Sequence, residues 1–187
     1  MKNLEKNRSN VSVVSIEMLL VISGVIAGII TGAVKGIMRS NSISPSNLRI
    51  DKIQTGDKLT LINIPTGETL NIKLACIDAP RASQPENRES KYVLVDLLAE
   101  IKDPKLTLNT LSISDDRTLI SELYINNINI NQHMVAQGAA VINPEYFNCL
   151  DKDGYLFSQK IAKDNELRIW SNPDFIMPWN WEKGKRG

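Results

Sequence analysis

Two aspartates at forced changes of chain direction are the residues of this sequence best placed to do chemistry. Asp78 ends an alternating apolar run that begins at Ile72, and Ala79-Pro80 follows it directly. Proline cannot continue a sheet ladder and holds the residue before it extended, so the strand must stop there. A carboxylate at the end of a buried strand suits a metal ligand or a catalytic group. An Asx-type turn cap is the alternative.

Other polar residues stand at similar turns along the chain. Asp57 follows Gly56 between two alternating runs, and Arg117 precedes the strand-like run that starts at Thr118. The pair Trp170-Ser171 comes late in the sequence. Taken singly, Asp57 is compatible with an ordinary turn residue and Arg117 with a solvated loop charge.

Taken together and in this order, these motifs resemble the staphylococcal nuclease (thermonuclease) family. That family carries a Gly-Asp turn, a hydrophobic strand followed by Asp-x-Pro, an Arg before a strand, and a late Trp-Ser. The resemblance covers roughly residues 48–182. It implies a small closed barrel of the oligonucleotide/oligosaccharide-binding (OB) type and hydrolysis of nucleic-acid phosphodiester bonds, in DNA or in RNA.

The resemblance also implies a set of site residues. Asp57 and Asp78 match the family's two calcium-binding aspartates, and the carbonyl of Ala79 matches a third ligand oxygen. Lys73 and Arg117 match two arginines that stabilise the charge on the phosphoryl group. We therefore expect Ca²⁺ as cofactor, bound weakly, because calcium takes about six to eight oxygens and only two carboxylates are supplied.

The largest departure from the family is Arg81, where the family has a general-base glutamate directly after the proline. A guanidinium stays protonated and cannot accept a proton from water. Glu86 and Glu89, at the start of the next helix, are possible substitute bases, although acids are common in a first turn because they suit the helix dipole. A catalytically impaired binding or scaffold module at a membrane is the alternative function.

The pattern predicts an α+β domain of five strands and about three helices. Alternation predicts strands near 48–54, 57–64, 69–77, 105–113 and 118–125. A helix should open at Pro85-Glu86 and end at Asp103-Pro104, a short one should be capped by Asn131, and a long one should cover about 152–169.

The N-terminal part has a different composition. Residues 12–35 are almost free of charge and long enough to span a bilayer as a helix, although a cleaved signal peptide is the rival interpretation. We expect a tail at 1–11, an anchor at 12–35, a Ser- and Asn-rich linker at 36–48 and the nuclease-like domain at 49–187. A single-pass membrane protein with its domain outside the cytoplasm is the resulting prediction.

Charge argues against tight, non-specific binding of nucleic acid. Residues 1–48 carry five of the 22 basic and two of the 21 acidic residues, which leaves 17 basic and 19 acidic in the domain. Cys76 and Cys149 are the only cysteines. They would be free thiols in a reducing compartment, whereas outside the cytoplasm a disulfide becomes reasonable. His133 has no partner at ligand spacing and is interpreted as structural.

Overall fold

The computed structural model describes residues 47–145 and 148–185. The tail, the anchor at 12–35 and most of the linker lie outside the described residues, so those predictions are not tested. Within the described ranges, no helix is both long and apolar enough to cross a membrane.

The strands fall into one larger and one smaller sheet. The described residues form β1 (Leu48–Ile53), β2 (Lys58–Asn63), β3 (Thr69–Leu74), β4 (Ile77–Asp78), β5 (Leu106–Ile113), β6 (Leu119–Ile125), β7 (Ile128–Asn129) and β8 (Val141–Ile142). The five longer strands are those that alternation predicts, and each lies within about three residues of its predicted bounds.

The larger sheet is open. Its order is β1-β2-β3-β6-β5, with β7 added to β6, and only the β3–β6 pair is parallel. Closing a barrel requires backbone pairing between the two end strands. Over the described residues, β1 pairs with β2 and no ladder joins it to β5. The prediction of a closed five-stranded barrel is therefore wrong for this structure, whereas the predicted α+β class is confirmed, with an open, OB-like sheet.

Four α-helices and a short 3₁₀ helix accompany the sheets in the described part of the chain. They are α1 (Asn87–Glu100), α2 (Ile130–Ala136), α3 (Lys152–Asp164), the 3₁₀ helix (Arg168–Ser171) and α4 (Pro178–Glu182). The predicted helix over 152–169 ends earlier, at Asp164, because Glu166 and Arg168 take positive φ values. The tail helix α4 was not predicted.

Asn129, rather than Asn131, caps α2. The side chain of Asn129 accepts a hydrogen bond from the Gln132 amide at 3.0 Å. Asn131 lies two residues later, in the first turn of α2, and is fully buried; its amide donates to the Ala75 carbonyl at 2.9 Å and to the Ser121 carbonyl at 3.0 Å. It thus ties the chain after β3 to β6, which is a tertiary role that a local capping pattern does not reveal.

The predicted strand 69–77 is interrupted at Cys76. This residue has a φ of 69°, in the left-handed region that non-glycine residues rarely adopt. β3 therefore ends at Leu74, and the chain turns before the two residues of β4 pair with β8. A disulfide joins Cys76 to Cys149, with their Cα atoms 6.1 Å apart, and so links this turn to the segment that precedes α3.

Candidate active site

Asp57 is placed by a turn that brings the backbone against helix α1. A Cβ atom on Gly56 would lie 1.9 Å from the Ser90 hydroxyl oxygen, so only glycine permits this approach. The Asp57 carboxylate is 2 % exposed. It accepts hydrogen bonds from the Thr55 hydroxyl at 2.7 Å and from the Ala79 amide at 3.0 Å. Asp57 is therefore a buried group turned towards the Asp-x-Pro segment, unlike an ordinary exposed turn residue.

Asp78 reaches the same place from β4. It pairs with Val141 of β8 and is also 2 % exposed. The Asn143 side-chain amide donates to Asp78 Oδ2 at 3.0 Å, and the Asn143 backbone amide donates to the Cys76 carbonyl at 2.9 Å. Asn143 thus fixes both the turn at Cys76 and the carboxylate that follows it.

The ammonium group of Lys73 joins the two aspartates. Its Nζ atom forms an ion pair with Asp57 Oδ2 and lies 2.8 Å from Asp78 Oδ1. It also donates to the Ile77 carbonyl at 2.9 Å. The Lys73 side chain is 19 % exposed, so one cation at the end of β3 is shared by two buried carboxylates and still faces solvent on one side.

Arg81 supplies a second cation. Its Nη1 and Nη2 atoms each lie 3.3 Å from an oxygen of Asp78, and Nη1 lies 4.0 Å from Asp57 Oδ2. Its Nε atom lies 2.6 Å from Glu182 Oε1 of helix α4. That contact is a close ion pair without an aligned hydrogen bond. We call Asp57, Lys73, Asp78 and Arg81 the charge cluster.

Asp57 and Lys73 stay ionised in the charge cluster despite burial. Burial alone would raise the pKa of Asp57, but the ion pair and hydrogen bond with Lys73 and the hydrogen bond from Ala79 hold that pKa below its ordinary 3.8. Burial alone would lower the pKa of Lys73, but Asp57 and Asp78 raise that pKa above its ordinary 10.5. Asp57 and Lys73 are therefore both charged at neutral pH.

The residues present do not form a calcium cage in this arrangement. Each carboxylate oxygen of Asp57 and Asp78 already accepts from a protein donor. Calcium takes about six to eight oxygen ligands. In the described part of the chain, no group of three or more His, Cys, Asp or Glu side chains is placed to hold a metal ion. The Lys73 ammonium lies between the two aspartates, so a metal ion bound by both would have to displace it.

Three of the predicted site residues lie apart from the charge cluster. Arg117 is exposed in the turn between β5 and β6, and its side chain makes no hydrogen bond or ion pair with any residue that the structure describes. Glu86 accepts a hydrogen bond from Asn172 at 2.9 Å, and Glu89 lies 3.6 Å from Arg168. The structure therefore brings together Asp57, Lys73, Asp78, Ala79 and Arg81 but not Arg117, Glu86 or Glu89.

A cleft of about 310 Å³ opens over the charge cluster. Besides Lys73, Asp78 and Arg81, it is lined by Trp179 and by residues that sequence reasoning did not single out, among them Asn143, Glu145 and Glu182. No sequence signal distinguishes Glu145 and Glu182 from the rest of the 21 acidic residues of the chain. His133 lies on α2 and does not line this cleft.

The sequence model for the staphylococcal nuclease homologue family matches residues 71–172. The chain belongs to this family. The match includes Lys73, Asp78 and Arg81, whereas Asp57 and Glu182 lie outside it.

Curated relatives cover most of the chain. An uncharacterized endonuclease of Haemophilus influenzae is 29 % identical over 152 residues, which is 80 % of each chain. An uncharacterized endonuclease of Escherichia coli O157:H7 is 27 % identical over 141 residues, covering 73 % of this chain and 85 % of the relative. The micrococcal nuclease of Shigella flexneri is 27 % identical over 142 residues, with 72 % and 79 % covered. A nuclease-like function follows from family membership and these relatives.

Proposed function

We propose that the protein hydrolyses phosphodiester bonds of nucleic acids at the charge cluster, with weak activity. The observation that carries the proposal is that Lys73 and Arg81, 19 % and 20 % exposed, line one cleft directly beside two buried aspartates. Fixed cations at a reacting phosphoryl group stabilise the charge that develops there. Asp57 and Asp78 hold these cations in place, so the positive groups need little rearrangement when substrate enters.

The two cations suit different tasks. The guanidinium of Arg81 presents a planar pair of donors that matches two oxygens of a phosphodiester. Its contacts with Asp78, at 3.3 Å, are long for charge-assisted hydrogen bonds and can be exchanged for substrate. Lys73 is a point charge held by stronger contacts, and its role is to neutralise the phosphoryl group from the cleft floor.

A second groove gives a nucleic-acid strand room to continue. It has a volume of about 660 Å³ and shares Lys73 with the cleft. Its lining includes Lys58, Gln54 and Asn71, together with apolar Ile72 and the carboxylates of Asp115 and Asp116. Polar amides and an apolar floor beside a lysine are suited to a single-stranded chain, whose bases are available for contact.

Calcium assistance, which the family resemblance implies, is a separate prediction for this chain. Because Lys73 pairs with both Asp57 and Asp78 and because Arg81 adds a second positive charge, we expect the wild-type protein to bind calcium weakly. No step of the proposed reaction depends on the metal.

The membrane anchor at residues 12–35 is also part of the proposal, with the domain outside the cytoplasm. The disulfide between Cys76 and Cys149 supports an oxidising compartment. Full-length protein should sediment with membranes and resist carbonate extraction. Full-length protein that stays in the soluble fraction at its unprocessed mass would contradict the anchor.

A nucleic-acid-binding or scaffold module is the second candidate function. It is favoured by Arg81 at the position of the family's base and by the protein donors that already engage both aspartates. This candidate predicts binding of oligonucleotides without turnover.

The deciding experiment follows end-labelled single-stranded DNA and RNA oligonucleotides incubated with the purified full-length protein, in chelator and in calcium. Slow cleavage in chelator is the expected result. Cleavage should be lost in Arg81→Gln, while Arg88→Gln, an exposed α1 residue that stacks on Tyr92, serves as the matched control. Binding without cleavage of either substrate would favour the second candidate.

A further inference from the structure

The ion pair between Arg81 and Glu182 brings a new carboxylate to the charge cluster, and the inference drawn from it rests on the proposed function. We propose that Glu182 is the general base that activates water for phosphodiester hydrolysis. Its Oε1 atom lies 2.6 Å from Arg81 Nε. Glu182 lines the same cleft as Lys73 and Asp78. The site thus contains a glutamate from the C-terminal helix in place of one that follows Pro80.

The segment that carries Glu182 is fastened to the loop after Arg81. The indole nitrogen of Trp181 donates to the Ser83 hydroxyl at 2.8 Å. The Gln84 side chain donates to the Ile176 carbonyl at 2.8 Å. These bonds connect residues more than ninety positions apart in the chain. Helix α4 is therefore held over the cleft by two contacts with the loop that follows Arg81.

Glu182 differs from the other carboxylates near the cleft in its exposure and in its protein partners. Asp57 and Asp78 are 2 % exposed and accept from several protein donors each, so they serve to hold Lys73 and Arg81. The Glu182 side chain is 59 % exposed and has one cationic partner, Arg81, among the residues that the structure describes, which leaves its second oxygen accessible to water. Glu145 also lines the cleft, but no ion pair positions it within the described residues.

Under this proposal the guanidinium of Arg81 has two roles, one for its Nη atoms and one for its Nε atom. Its Nη atoms face the aspartates and the position of the phosphoryl group, while its Nε atom orients Glu182. A water molecule between the phosphorus atom and the Glu182 carboxylate would be in reach of both. Positioning a base and an electrophile on one rigid guanidinium is the kind of pre-organisation that catalysis requires.

The step balances as an ordinary hydrolysis. The oxygen of water forms a bond to phosphorus as Glu182 takes one of its protons, and the bond from phosphorus to the leaving sugar oxygen breaks. The leaving oxygen takes a proton from solvent, and Glu182 returns its own proton to solvent. One water is consumed, and the products are a phosphate monoester and an alcohol.

The test compares single-turnover cleavage of a labelled oligonucleotide by full-length wild type, Glu182→Gln, Glu145→Gln and Glu68→Gln, with substrate affinity measured in parallel. Glu182→Gln should lower the cleavage rate by about 10²-fold or more with affinity changed little, because general-base help typically contributes about 10²–10⁴-fold. Glu68, in the exposed hairpin between β2 and β3, is the matched control and should leave the rate unchanged. Glu182→Asp, which keeps the carboxylate, should recover part of the lost rate.

Each other outcome is decisive. Cleavage that Glu182→Gln leaves unchanged, or a loss confined to Glu145→Gln, would overturn the role of Glu182 while the proposed function stands. Faster cleavage in Glu182→Gln would mean that α4 blocks the site, and would also overturn it. A wild type that binds the oligonucleotide without cleaving it would overturn the proposed function and this role together.

Discussion

Replacing Lys73 by methionine should markedly lower the stability of the domain. The substitution keeps the length of the side chain but removes the ammonium group that lies between Asp57 and Asp78. Both aspartates are 2 % exposed, so their charges would remain buried with fewer partners. Removing one partner of a buried ion pair typically costs about 3–5 kcal/mol.

The remaining contacts place the expected loss at the lower end of that range. Arg81 stays within 3.3 Å of Asp78 and 4.0 Å of Asp57. The Ala79 amide and the Asn143 side chain still donate to the two carboxylates. We therefore expect the free energy of unfolding to fall by about 3 kcal/mol.

Urea unfolding at neutral pH measures this loss, with an unchanged slope indicating an unchanged native fold. Lys58→Met is the matched control, because Lys58 lies directly across from Lys73 on β2 and is exposed. Its removal should change the free energy of unfolding by less than about 0.5 kcal/mol. Equal, small losses in both variants would show that Lys73 does not bridge the aspartates in solution.

Calcium gives the same variant a second readout. In Lys73→Met the two aspartates are no longer shared with an ammonium group, so added calcium should raise its thermal midpoint more than that of the wild type. Equal responses of both proteins to calcium would contradict the view that Lys73 excludes the metal.

Three further outcomes are expected. The stabilising contribution of Asp57 is full above its ordinary pKa of 3.8 and is lost as pH falls from there through its lowered pKa, whereas that of Lys73 is full below 10.5 and is lost as pH rises through its raised pKa. The free energy of unfolding measured across pH should therefore be constant between these limits. Asp57→Asn should make the fall in that free energy on the acid side smaller than in the wild type. Reduction of the disulfide between Cys76 and Cys149 should lower the free energy of unfolding by about 2–4 kcal/mol, and intact-mass measurement after alkylation without reductant should find no alkylated thiol. Arg81→Glu adds a carboxylate beside the two aspartates and should therefore bind calcium more tightly than the wild type, as measured by calorimetric titration. No calcium binding by this variant would count against that expectation.

Local sequence patterns account for the strands and for most helix positions. The five longer strands alternate between apolar and polar residues and are separated by turns that contain residues such as Gly67 and Asn126, both of which take positive φ. The way strands pair depends on contacts distant in sequence, so the open edge between β1 and β5 could not be predicted. The positive φ of Cys76, which creates β4, is set by tertiary packing rather than by residue preference.

The site also combines residues that the sequence identifies with contacts that only the folded structure reveals. The family resemblance identified Asp57, Asp78 and Lys73, and the structure brings these three side chains into contact. That Lys73 would pair with both aspartates depends on the register between β2 and β3 and on the turn at Cys76, neither of which the sequence reveals. Glu182 reaches the cleft only because α4 folds back onto the loop after Arg81, a contact no local pattern indicates.

The nucleic-acid cleavage rate of Arg81→Gln relative to wild type tests the central claim most directly. Arg81 contacts both aspartates and Glu182, and its guanidinium is the group proposed to bind the phosphoryl oxygens. Under single-turnover conditions in chelator, the rate should fall by about 10²-fold or more, as expected when a fixed donor to the transition state is removed. The Arg88→Gln control should keep the wild-type rate. A wild type that cleaves at the same rate as Arg81→Gln would contradict the claim that the charge cluster is where the phosphodiester bond is broken.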